Sequence, residues 1–167
     1  MAKTIIFILK LKSGEHTLRF IPVKGGFIDE YKIENIIDPE KMQFNLGIHA
    51  EDGDRRPWLT FVLVNLPLKS ISADVSAKWH FLDGDDVKLI VDGQIKKNPS
   101  SLLHKNWVWS ANIFNLFGKE RQEKTFIENL STGIHYIEFW ADKTPTLHSV
   151  KLDLGEGKRI PTVDDPQ

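Results

Sequence analysis

The feature that most constrains this chain is a strict two-residue alternation in its middle third. From Ala73 to Leu82, the residues Val75, Ala77, Trp79 and Phe81 fall on one side of an extended strand, and Asp74, Ser76, Lys78 and His80 fall on the other. Asp86–Asp92 repeats the pattern, with Val87, Leu89 and Val91 on one side. A helix would scatter these apolar residues around its circumference, so the spacing demands half-buried strands. Asp83-Gly84-Asp85-Asp86 between them has a turn composition and predicts a hairpin, and Asp92-Gly93 marks a second turn. Leu59–Leu66 is nearly continuous apolar, as expected of a central strand covered on both faces. The best helix candidate is the short stretch Asp38–Phe44, opened by Asp38 as a cap with Pro39 at the first helical position. The expected fold is therefore all-β: an antiparallel β-sandwich, jelly-roll-like, with little helix.

Composition narrows the function classes. The 167 residues fit one domain, with 41% hydrophobic and 27% charged residues, the mix of a globular protein with a real core. A net charge of -1 provides no basic field for a phosphate backbone, so nucleic acid is not an expected partner. Cysteine is absent, which excludes disulfides, thiolate zinc and a cysteine nucleophile. The apolar runs Thr4–Leu9 and Leu59–Leu66 are too short to insert as helices across a membrane, and Met1-Ala2-Lys3 does not begin a signal peptide. The expectation is a piece of a larger secreted or cell-surface protein.

One internal repeat is present. Leu11–Glu34 aligns without a gap to Leu130–Asp153 at an offset of 119 residues, which places Gly14 on Gly133. Identical pairs are Leu11/Leu130, Gly14/Gly133, His16/His135, Phe20/Phe139, Lys24/Lys143 and Lys32/Lys151. Leu18/Ile137, Ile28/Leu147, Ile33/Leu152 and Glu34/Asp153 are conservative. Each copy reads as a hairpin that cannot bury a face alone. The expected organisation is one module over residues 1–155 containing both hairpins, then a polar linker or tail over 156–167. A tandem array cut through one repeat explains the same alignment, with residues 1–36 belonging to a preceding module.

Candidate binding residues come from the five tryptophans and their polar neighbours. A sugar ring offers a C–H face that stacks on an indole and a rim of hydroxyls that polar side chains reach. Trp107 and Trp109 lie two apart, beside Asn106, Lys105 and His104, and would share a strand face; filling the core is the plain alternative. Tyr136, Glu138 and Trp140 lie out of phase with Ile137 and Phe139 and would form an outward stripe, unless a loop covers them. Trp58 follows an acid–base loop from which Glu51 and Arg55 could meet sugar hydroxyls, or form surface ion pairs instead. His16 and His135 are in phase with core residues, which suits buried histidines bonded to backbone. Asp83, Asp85 and Asp86 gather carboxylates on one turn as candidate calcium ligands, against the alternative of a solvated turn. No hydrolase, metalloprotease, phosphate-loop or dinucleotide motif occurs, so the chain is expected to be non-catalytic.

The stretch Phe81-Leu82-Asp83-Gly84-Asp85-Asp86-Val87-Lys88-Leu89-Ile90-Val91-Asp92-Gly93 resembles the hairpin of protective-antigen-type glycan-binding modules. Asn106-Trp107 and Leu130–Phe139 are similar to later elements of the same modules, and the likeness spans Asp74 to Asp153. The Leu-x-x-Gly-x-His repeat also resembles the closing strands of jelly-roll carbohydrate-binding modules. The resemblance implies a β-sandwich that holds polysaccharide or cell-wall glycan, in some members through calcium on paired acids, here Asp85 and Asp86. The order Asp83-Gly84-Asp85-Asp86 departs from the Asp-Asp-Gly of that pattern and shifts its register. Such modules are appended to proteins acting on polysaccharide or cell wall, which implies further domains and an extracellular location. The alternative is a structural or adhesive spacer without a small-ligand site.

Overall fold

Two strands of 24 residues, β3 (Pro57–His80) and β8 (Lys119–Asp142), organise the fold. The computed structural model describes residues 3–21, 26–34, 41–51, 57–80, 83–99, 101, 105–112 and 119–155. β3 and β8 pair antiparallel from Pro57↔Trp140 to Lys78↔Lys119. Drawn straight, each would run for about 80 Å. They are bent instead, and ring contacts prove it. On β2 (Lys41–His49), Phe44 lies opposite Val150 of β9 (Thr146–Asp153), and Val150 lies opposite Ala73 of β3. Phe61 is roughly 40 Å from Ala73 along a straight strand, yet its ring centroid is 5.0 Å from that of Phe44.

The sheet therefore doubles over on itself into two facing halves. One half holds β1 (Thr4–Leu9), the start of β3, the end of β8 and β5 (Asp86–Val91). β6 (Gln94–Ile95) and β7 (Trp109–Ser110) line the far edge of β5. The other half holds β2, β9, the end of β3 and the start of β8, and β4 (Asp83–Gly84) pairs the last residues of β3. The nine strands of the described residues belong to one sheet, antiparallel except for β1 beside β3, and not closed into a barrel. Among the described residues there is no helix.

The fold-over has a local cause. Between Val64↔Ile134 and Leu66↔Gly133, Asn65 is an extra residue on β3, and β8 carries extra residues on the way to Leu68↔Leu130 and Ser70↔Ile127. Such bulges raise the twist and bend the strand. Asn65 and Asn129 sit there at φ 60° and 53°, a left-handed conformation that asparagine tolerates better than most residues. Pro67, which has no N–H to give to a ladder, is buried between two of these register shifts.

The alternation read from the sequence sets the core. Val75, Ala77, Val87, Leu89 and Val91 are buried as expected, and all but Ala77 belong to one core cluster with Phe61, Ile137, Phe139 and Val150. Leu59–Leu66 is a central stretch flanked by β1 and β8. Asp92-Gly93 forms the predicted turn, both residues at positive φ between Val91 and Gln94.

Pairing differs from expectation in several places. β3 turns back only into the two-residue β4, and β5 pairs with β8 rather than β3. The cause is Asp85, whose buried carboxylate accepts the N–H of Lys78 at 2.8 Å and of Thr144 at 3.0 Å, ending the short hairpin and pinning it to the end of β8. The described part of the helix candidate, Lys41–Phe44, is strand, because Met42, Phe44, Leu46 and Ile48 alternate toward the core. Residues 38–40 and the tail 156–167 lie outside the described residues. In Leu130–Asp153, β8 and β9 enter different halves of the sheet and do not pair with each other. The described part of Leu11–Glu34 contains no strand and is exposed throughout.

The hinge yields a direct test. Asn65→Gly is expected to leave the denaturant midpoint almost unchanged, whereas Asn65→Val, a branched residue forced to positive φ, costs about 1–3 kcal/mol. Equal losses in urea unfolding of the two variants would refute the hinge role.

Candidate functional site

The two halves present very different outer faces. On the half containing β2 and β9, the polar side chains bond one another. Ser72 meets Thr125 at 2.7 Å, Ser76 meets His148 at 2.7 Å, Lys151 meets Glu123 at 3.2 Å, and Arg121 grips Asp74 through two nitrogens. The guanidinium hydrogen bond, with its charge, holds the Asp74 carboxyl below the ordinary value of 3.8. This face carries no indole, and these donors and acceptors are already spent.

The outer face of the other half carries the aromatics. Tyr136, Glu138 and Trp140 point outward from β8, and Lys88 and Ile90 lie beside them on β5, with Lys88 opposite Trp140 and Ile90 opposite Glu138. Just before β7, Trp107 is held by its neighbours: Asn98 donates its side-chain N–H to the Trp107 carbonyl at 3.2 Å, and Val108 donates its N–H to Val87 at 2.8 Å. Trp107 and Trp140 are both half-buried, and the Lys88 ammonium lies between them, 4.5 Å and 5.8 Å from the ring centroids. The ring quadrupoles attract that cation, by about 0.5–1 kcal/mol at an exposed site. The indole N–H of Trp140 donates to Glu138 Oε2 at 3.1 Å. Tyr136 is half exposed at the end of the stripe. Two indoles, an ammonium and a carboxylate thus lie together on one sheet face, with a phenol farther along the same strand.

Other expected residues sit elsewhere. Trp109 is fully buried, its ring 6.1 Å from Phe126 and 6.0 Å from Phe139, so it does not share a face with Trp107. The alternation fails there because β7 begins only at Trp109. Trp58 is also in the core, at a bulge where two residues of β3 oppose one of β8. Glu51 is exposed just beyond β2, and Arg55 lies outside the described residues. His135 is buried, its Nε2 2.7 Å from the Ser131 carbonyl and its Nδ1 2.8 Å from Asp92 Oδ2. His16 keeps the backbone bond but is exposed.

The carboxylates of Asp83 and Asp85 in the acidic turn are bonded within the protein. Asp85 Oδ1 also meets His80 Nε2 at 3.0 Å, so both carboxylate oxygens have protein donors. Asp83 accepts the Gly84 N–H at 2.9 Å and lies 3.6 Å from Lys143 Nζ, while Asp86 is buried. Among the described residues, no three His, Cys, Asp or Glu side chains gather as a cation site.

Lys88 is the residue that sequence reasoning missed. Its outward phase on β5 was visible, but its place between two indoles depends on the β5–β8 pairing, which no local pattern encodes. Comparison with protein families, with curated proteins and with solved structures finds no match.

Because Asp74 has a depressed pKa in the folded state, its stabilisation is present above the ordinary carboxylate range and is lost as pH falls through it. Arg121→Gln should therefore be less stable than the parent at pH 7, with the gap vanishing near pH 2, as read by urea titrations across pH. A gap that persists in acid would show that the pair is not its source.

Proposed function

We propose that this module binds glycan, with Trp107 and Trp140 as the stacking surfaces and Lys88, Glu138 and Tyr136 as the polar rim. The observation that supports this reading is the half-buried indole pair set around one ammonium on the outer side of the sheet. An indole supports the C–H face of a pyranose, while an ammonium donates to ring hydroxyls and a carboxylate accepts from them. The sheet fixes all five side chains at strand positions or beside one, so little ordering cost falls on binding. In this role the module is non-catalytic and anchors a larger secreted or surface protein to polysaccharide or cell wall.

Calorimetric titration of soluble polysaccharides and peptidoglycan fragments, with and without calcium, tests the reading. Trp107→Ala and Trp140→Ala should each weaken binding about tenfold or more, equivalent to ~1.4 kcal/mol, while circular dichroism and cooperative melting persist. Silence across the panel, or binding that survives both substitutions, would favour a spacer role in which Lys88 merely packs the gap between the rings.

A further inference from the structure

The repeat in the sequence acquires a physical meaning when the two copies are compared in space. Ile137, Phe139, Leu147 and Leu152 are 0, 0, 0 and 1% exposed, buried between the halves of the sheet. Their counterparts Leu18, Phe20, Ile28 and Ile33 are 52, 49, 53 and 74% exposed. The same apolar pattern, in the same phase, is core in one copy and solvent-facing in the other. An exposed run of this kind marks an interaction surface. The ring of Phe20 lies 6.4 Å from that of Phe7 on the outer side of β1 and stays half exposed there.

A second observation is independent of composition. In β8, His135 Nε2 bonds the carbonyl four residues back, Ser131, at 2.7 Å. In the exposed segment, His16 Nε2 bonds the carbonyl four residues back, Lys12, also at 2.7 Å. The two histidines thus make the same side-chain bond to the carbonyl four residues back, although Gly14 sits at φ 136° and residues 12–16 are not strand, whereas 131–135 are. The partner of the other ring nitrogen differs as well. His135 Nδ1 meets Asp92 at the β5–β6 turn, whereas among the described residues His16 meets no carboxylate.

We propose that Leu11–Glu34 is the closing strand pair of a second module of this same architecture, seated on that module's counterparts of β3 and β5. In this chain the end of β8 lies between β3 and β5, and β9 lies between β3 and β2. A second module offers the same slots to Leu18, Phe20, Ile28 and Ile33, and its counterpart of Asp92 receives His16. The occupant is thus another copy of this fold, repeated at the offset of 119 residues from Leu11 onward, while Thr4–Leu9 just before it is β1 of the module described here. This inference stands apart from the glycan reading, since it uses none of the indole face.

The experiment is a chain in which residues 11–129 are duplicated in tandem, so that residues 1–129 run directly into residues 11–167. The first module then lacks its own β8 end and β9 and can close only on the internal copy of Leu11–Glu34, while the second module lacks β1, and peptides from 130–153 report whether it folds without it. Hydrogen exchange read by mass spectrometry should show every peptide from 11–34 exchanging freely in the parent chain. In the duplicated chain the same peptides should split into one protected and one free population. Leu18→Asp with Phe20→Asp in the internal copy should abolish the protected population and leave peptides from 130–153 protected. Free exchange of both copies overturns the proposal. So does a parent chain whose arm is already protected, whether as a monomer or as a stable dimer by light scattering.

Discussion

Everything in this molecule depends on one geometric constraint: a ladder of two 24-residue strands must bend sharply or fail to make a core. Straight, the β3–β8 ladder would leave both of its faces in water. Bent at Asn65 and Asn129, it brings the apolar side of its first half over the apolar side of its second, and Phe44 meets Phe61. The interior that results is what stabilises the chain, since apolar burial is the dominant favourable term in folding. The bulges are thus the condition on which the Trp109, Phe61 and Phe139 cluster exists.

Strand character was legible residue by residue, because alternation is a local property of the chain. Val75, Ala77, Val87, Leu89 and Val91 declared their face in advance, and Asp92-Gly93 declared its turn. Pairing was not legible. Nothing near Asp86 says that its strand will leave β3 for β8, because the decision is made by Asp85 reaching Thr144, far along the sequence. The bend was hidden for a similar reason. Asn65 and Pro67 bend the strand only against the register of β8, which the local sequence does not contain.

The candidate site was legible in halves. The outward phase of Tyr136, Glu138 and Trp140 followed from the inward phase of Ile137 and Phe139, and it holds. The inward fate of Trp109 and Trp58 did not follow, because a large aromatic reads alike whether it fills a core or a surface. Lys88 could be assigned to the site only once its cross-strand neighbour was known. Binding surfaces on sheets are made across strands, so a one-dimensional pattern shows the ingredients and conceals their assembly.

The register of the long ladder also has a consequence in time. Its nearest contact in sequence, Lys78 with Lys119, encloses a loop, and every later pair toward Pro57 and Trp140 encloses a longer one. Loop-closure entropy grows with length, so zipping is favoured from the Lys78 end, and the chain belongs with the slow folders dominated by non-local contacts. As the polypeptide emerges during synthesis, β1 is available to one edge of Leu59–Leu66 at once, but the other edge must wait for β8. The charges at Lys69, Asp74 and Lys78 are what the nascent strand has to keep it from meeting its own kind in the interval.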